Sequence, residues 1–173
     1  MCCKDAVLPE SLLKNHTVNC LTYEQNTKKP YKDNLCPFRA LALHLHGNER
    51  LEEETSKLFN LFLINSTNPD PSKFQGVCMN DIPSVEDIVG INIFIYDIDL
   101  IDGAMVGELA RRSIKKYEKN FQSIRYNVHI CYVDNINALF KAFRCPTCDT
   151  YFQKTGNLEC HLVGCSERVK QID

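Results

Sequence analysis

The segment Cys145-Pro146-Thr147-Cys148, followed after twelve intervening residues by His161-Leu162-Val163-Gly164-Cys165, constrains this chain more than any other. Two residues between the first cysteines let one tight turn aim both thiolates at one ion. His161 and Cys165 are four apart, so a helix puts them on one face. Four nitrogen and sulfur donors in that arrangement suit tetrahedral zinc. Phe143, Phe152 and Leu158 are spaced to form a miniature core around the site. A core that small does not hold a fold alone, so one structural Zn2+ ion is expected to be a folding requirement for the segment. Cys160 lies beside His161 as a spare donor, but it points away from the metal if 158–165 is helical.

These positions resemble a CCHH zinc finger throughout, except that Cys165 stands where the last histidine would be. The resemblance implies a ββα unit. It also implies that Lys154, Asn157 and Cys160 occupy the helix positions that face bases in DNA-reading fingers. Such fingers work in arrays of about three base pairs each. Residues 141–173 carry Lys141, Arg144, Lys154, Arg168 and Lys170 against Asp149, Glu159, Glu167 and Asp173. That balance is a weak phosphate footprint. A structural or protein-contacting finger is therefore expected ahead of sequence-specific reading, with nucleic acid as the other possible partner.

The chain has 173 residues, 44% hydrophobic and 24% charged, which fits one globular domain plus a small appendage. A net charge of −2 excludes a broadly basic nucleic-acid coat. The longest useful apolar run is residues 91–96, too short to span a bilayer, so no membrane association is expected. Met1-Cys2-Cys3-Lys4-Asp5 opens no apolar signal segment. With ten cysteines and no such signal, reduced or metal-bound thiols in an intracellular compartment, cytoplasmic or nuclear, are expected.

The pattern divides the chain into a loosely structured lead-in over 1–30, an α+β domain over 31–140, the finger over 141–168 and a tail over 169–173. Within the lead-in, one short strand is expected. Phe38, Leu41, Ala42 and Leu45 recur at helical spacing, with a stop at Gly47-Asn48. Leu51, Thr55, Leu58, Phe59, Phe62 and Leu63 predict a second helix over 51–64, and 65–73 reads as loop. Ser84 is expected to cap a short helix over 85–90. Residues 91–98 predict a buried strand, Asp102-Gly103 a turn, and Met105, Leu109, Ile114 and Tyr117 a helical face backed by Arg111, Arg112, Lys115 and Lys116. The alternation from Ile124 to Val133 predicts one strand with Asn127, His129 and Cys131 on its polar side. A short helix is expected over 136–142. Asp97 and Asp99 read as strand-end residues, and Cys131 as packing. Cys2, Cys3, Cys20 and Cys78 carry no assignment.

A second constellation lies at Asp33-Asn34-Leu35-Cys36-Pro37-Phe38-Arg39-Ala40. Cys36 falls at the start of an apolar helix, where exposed N–H groups stabilise a thiolate. A nucleophilic cysteine needs a histidine from elsewhere in the sequence, and His129 is the candidate. Asn127, two residues earlier, would share its strand face and orient the imidazole. His44 and His46 lie too far along the Cys36 helix and read as surface or partner-facing.

These residues resemble the cysteine box of OTU-type, papain-like deubiquitinases, Asp-Gly-Asn-Cys-(apolar)-Phe-Arg-Ala. Asp33, Cys36, Phe38, Arg39 and Ala40 match, whereas Asn34, Leu35 and Pro37 depart from it. The resemblance implies a papain-like or OTU-like helix-plus-sheet fold. In it, Cys36 is the nucleophile, His129 the general base, Asn127 the orienting residue and Asp33 the residue shaping the oxyanion loop. Ubiquitin or a ubiquitin-like protein would be the substrate.

On a larger scale, Asn34 to Ala42, Asn92 to Tyr96, His129 to Asp134 and the finger together resemble the region upstream of the polymerase domain in protein-primed family-B DNA polymerases of Polinton or Maverick transposons. That resemblance implies the front portion of such a protein, or a stand-alone derivative. Two functions are thus expected to compete: a deubiquitinase-type thiol peptidase, and a non-catalytic zinc-binding module that contacts protein or nucleic acid. Whether Cys36 and His129 come together decides between them.

Overall fold

A computed structural model describes residues 8–24, 27, 29–66, 70–101, 104–126, 129–140, 143–145, 147, 151–152 and 155–169. In chain order the elements are α1 (Glu10–Leu13), β1 (Val18–Asn19), α2 (Cys36–His46), α3 (Leu51–Asn65), α4 (Ile82–Val89), β2 (Ile91–Ile101), β3 (Ala104–Arg111), β4 (Lys119–Tyr126), β5 (His129–Val133), α5 (Ile136–Phe140), β6 (Phe143–Arg144), β7 (Tyr151–Phe152) and α6 (Thr155–Val169). The strands form one mixed sheet in the order β1-β5-β4-β2-β3-β7-β6. Among the described residues only the β2–β4 pairing is parallel. The class is α+β, as expected. Among the described residues no helix is long and apolar enough to cross a membrane.

Each face of the sheet carries its own core, and strand alternation assigns residues to one or the other. On the first face, Ile91, Ile93, Ile95, Phe121 and Ile130 meet Phe38, Leu41, Leu58, Phe62, Ile82 and Val85 from α2, α3 and α4. On the second, Tyr96, Ile98, Ile124, Cys131 and Val133 meet Leu12, Ile136, Leu139 and Phe140 from α1 and α5.

Helices α2 and α3 lie within a residue of their expected ranges, and Gly47 at φ 73° ends the first. Helix α4 begins earlier than expected. Pro83 sits in its first turn, and Ser84 lies inside the helix rather than capping it. The lead-in is not loose over its described part. Leu8, Leu12 and Val18 are buried in the second core, and β1 pairs with β5.

Two expectations about strands need correction. Residues 104–111 form β3, antiparallel to β2, and not a helix. Met105 and Leu109, four apart, share a face in either structure, so their spacing does not discriminate. The Asp102-Gly103 pair, itself outside the described residues, is a hairpin signal that outweighs it. Residues 124–133 are not one strand but two. Tyr126 pairs directly with His129 across a two-residue connection, joining β4 to β5. That reversal changes which residues share a face. Ile124 and Tyr126 now align with Cys131 and His129, whereas Ile130 and Tyr132 turn to the first core.

An extra residue in β3 has a similar consequence. The register shifts between Ile95/Tyr96 and Arg111/Leu109. Such a bulge lets Arg111 turn to the first face while Leu109 stays on the second. There Arg111 meets the fully buried Glu86 of α4 through contacts of 3.0 and 2.8 Å, and it also donates to the Ile93 carbonyl at 2.7 Å.

Candidate metal centre

Strands β6 and β7 pair antiparallel, Phe143 with Phe152 and Arg144 with Tyr151. Tyr151 also pairs with Gly107, which fastens this hairpin to the edge of the sheet through β3. Cys145 follows β6 directly, and α6 runs back past it. The four-residue spacing puts His161 and Cys165 on one side of α6. The donor atoms of Cys145, His161 and Cys165 all lie within 4.8 Å of one another. Cys145 is fully buried, Cys165 nearly so, and His161 half-buried.

The two sulfurs of Cys145 and Cys165 are 3.9 Å apart. Two thiolates on one tetrahedral zinc, with bonds of about 2.3 Å, stand ~3.8 Å from each other. The residues therefore fit a metal ion of this type. Zinc bound here would neutralise thiolates that are costly to bury uncompensated. Cys148, the fourth expected ligand, lies outside the described residues. Cys160 is exposed, as a residue turned away from the cluster should be. Asn157 is exposed on α6, and Lys154 lies outside the described residues. The side chains of Phe143 and Phe152 are also outside them, whereas Leu158 is half-buried.

The cysteine–histidine constellation is placed differently. Cys36 is the first residue of α2, as expected, but it is buried within the first core beside Phe38 and Leu41. His129 lies on the second face with its partner Tyr126 and with Cys131, and its charge acts on the Cys20 thiol. Strand alternation thus puts His129 on the face opposite the core that holds Cys36. Asn127 lies outside the described residues. A small cavity beside the first turn of α2 is lined by Pro37, Leu41, Val85, Phe121 and Ile130, with Ser123 as the one polar side chain among its lining.

Asp33 shapes the loop before α2, but its charge is committed to Arg39. Arg39 donates to its two oxygens at 2.7 and 2.6 Å, and the Leu35 N–H donates to the first of them at 3.1 Å. Partial burial pushes the Asp33 carboxyl up, but these donors outweigh it and hold it below the usual aspartate range. The Arg39 guanidinium also stacks 3.4 Å over the Tyr31 ring. Partial burial, then a hydrogen bond to Glu52, pushes Tyr31 up to about 12. The match of Asp33, Phe38 and Arg39 to a protease box thus coincides with a structural lock: a buried arginine, its carboxylate and an aromatic anchor.

His44 is not a surface group. It packs edge-on to Phe121 and Tyr132, and its Nδ1 lies 3.1 Å from the Tyr132 hydroxyl. Burial first, then the charge of Lys119, lowers its pKa. Asp97 pairs with Arg125 on the neighbouring parallel strand at 2.6 and 2.5 Å. Sequence reasoning missed one pair altogether. The sulfurs of Cys20 and Cys131 lie 2.8 Å apart. Only the β1–β5 pairing, invisible in a lead-in read as loose, could have found it.

Scans of family models, of curated proteins and of solved structures return no match to this chain.

Proposed function

We propose that this chain is a zinc-dependent interaction module: an α+β domain that carries a C-terminal ββα finger and contacts a protein partner through it. The observation that carries this reading is the convergence of Cys145, His161 and Cys165 at a sulfur separation matching one zinc ion. Cys148 supplies the fourth ligand in this reading. Zinc fixes α6 against the hairpin and presents its exposed side, with Asn157, Cys160 and Val163, to the partner. The near-neutral charge of 141–173 favours protein over the phosphate backbone of nucleic acid.

The peptidase reading finds less support, because Cys36 is buried and His129 lies on the other face of the sheet. The papain-like or OTU-like resemblance then describes a fold retained without its chemistry. Descent from a Polinton or Maverick polymerase protein is compatible with this, since the finger would serve that protein as an assembly contact.

Two measurements test the reading. Native mass spectrometry of protein refolded with zinc should show one ion per chain, lost in a Cys145→Ser, His161→Ala double variant. Incubation with an electrophilic ubiquitin probe should give no adduct. A covalent adduct on wild type that disappears in Cys36→Ala would replace this proposal with the peptidase.

A further inference from the structure

We propose that Cys20 and Cys131 form a peroxide-responsive dithiol, which closes to a disulfide across the β1–β5 edge of the sheet. The pair stands apart from the metal centre and rests on strand geometry. Val18 faces Val133 and Asn19 faces Tyr132, so Cys20, one residue further on, comes opposite Cys131. The Asp134 N–H donates to the Thr17 carbonyl at 3.0 Å. Hydrogen-bonded and non-hydrogen-bonded pairs alternate along an antiparallel ladder. Counting from Thr17–Asp134, Cys20–Cys131 falls at a non-hydrogen-bonded position, where Cα atoms approach to about 4.5 Å. That distance lies within the range a disulfide bridges. The sulfurs are already 2.8 Å apart, so closure requires little backbone movement.

The two thiols differ in access, and this sets their roles. Cys20 is half-buried and within reach of a small oxidant, whereas Cys131 is only 2% exposed. The hydrogen bond with Cys131 lowers the Cys20 pKa, burial opposes it, and the charge of His129 lowers it further. Cys20 is therefore the attacking thiolate. Its sulfur takes an oxygen from hydrogen peroxide as the O–O bond breaks. This gives a sulfenic acid on Cys20 and, with one proton, a water. Cys131 then attacks the Cys20 sulfur, the S–O bond breaks, and hydroxide leaves and takes the Cys131 proton as a second water. Two thiols and one peroxide become one disulfide and two waters. The bond would tie β1, and with it the buried Leu12 segment, to β5.

The test treats the zinc-loaded full chain with limiting hydrogen peroxide, quenches with an alkylating agent and maps the peptides. The expected product is a Cys20–Cys131 linked peptide, two hydrogens lighter, that forms about tenfold faster than oxidation of the exposed Cys78. Zinc should stay bound, and the thermal midpoint should rise by several degrees. In Cys131→Ser, Cys20 should stop at a sulfenic acid that a cyclic 1,3-dione traps. Should that variant fail to fold, Cys20→Ser, at a half-buried position, must abolish the thermal shift. Cysteines linked at random, Cys20 still alkylatable after Cys78 has reacted, or a thermal shift that survives Cys20→Ser would each overturn the proposal.

Discussion

Helices α2 and α6 differ in what surrounds them. Residues 36–42, seven of the eleven in α2, are buried against the sheet and α3. Of the side chains of α6 from 156 to 165, only Cys165 is buried. A fifteen-residue helix is marginal in water unless packing or ligation holds it. Helix α2 has packing, whereas α6 has a two-residue-per-strand hairpin and the ligand cluster. One chain thus has apolar burial over its larger part and, at its C-terminal part, little burial beside a cluster that could hold a metal ion. The two parts should respond to different insults.

Metal removal should separate them most sharply. Zinc binding to a unit of this kind is coupled to folding by on the order of 10 kcal/mol. Chelation at neutral pH, or Cys145→Ser, should abolish amide protection along α6 and leave β2, β4 and β5 protected. Hydrogen exchange read by mass spectrometry distinguishes the segments. Full protection of α6 after metal stripping would break the comparison, because α6 would then be held by packing alone.

The sheet domain has its own point of failure at Glu86 and Arg111. Burial pushes the Glu86 carboxyl up, but Arg111 and the Ile93 N–H outweigh it, so its pKa is lowered on folding. A depressed carboxylate stabilises the fold above its unfolded value, near 4.5 for glutamate. That stability is lost as pH falls through the lower folded value. Arg111→Ala leaves a fully buried charge uncompensated and should cost about 3–5 kcal/mol by urea unfolding at pH 7. It should also create a slope around pH 5–7, where this pair gives the wild type none. Without its partner Glu86 is easier to bury protonated, so the variant should gain stability as pH falls. A variant that keeps the wild-type acid profile would show that the bulge-placed pair does not carry this stability.

Leu12→Ala ranks next and bears on what could be read in advance. Leu12 is fully buried in the second core, so truncation should cost ~2–5 kcal/mol. The sequence hid this because α1 has four residues and β1 two, too short for any periodicity to register. Long elements were legible: α2, α3 and the strand from Ile91 show their buried faces over two or more turns or alternations. The convergence of Cys145, His161 and Cys165 was legible because ligand chemistry demands particular residues at fixed spacing. The face on which His129 sits was not, because it depends on a two-residue reversal between Tyr126 and His129. An uninterrupted alternation from 124 to 133 conceals that reversal. If Leu12→Ala is neutral, the lead-in is peripheral after all.

Gly107→Ala should have the smallest effect and says most about the border between the two regions. A Cβ at Gly107 would lie 2.1 Å from the Phe140 ring, so the ring or the strand must shift. Phe140 is fully buried in the second core, with little room to yield. Overpacking of this kind costs about 1–3 kcal/mol. The same residue pairs through its backbone with Tyr151, the contact that fastens the hairpin to the sheet. A strand displaced by the new methyl group would pull on β7. If the two regions are held independently, the variant should lower the urea midpoint of the sheet domain and leave zinc affinity unchanged in a competition titration. A weakened zinc affinity would instead mean that the sheet edge positions Cys145. The metal centre would then depend on the apolar core that it otherwise does without.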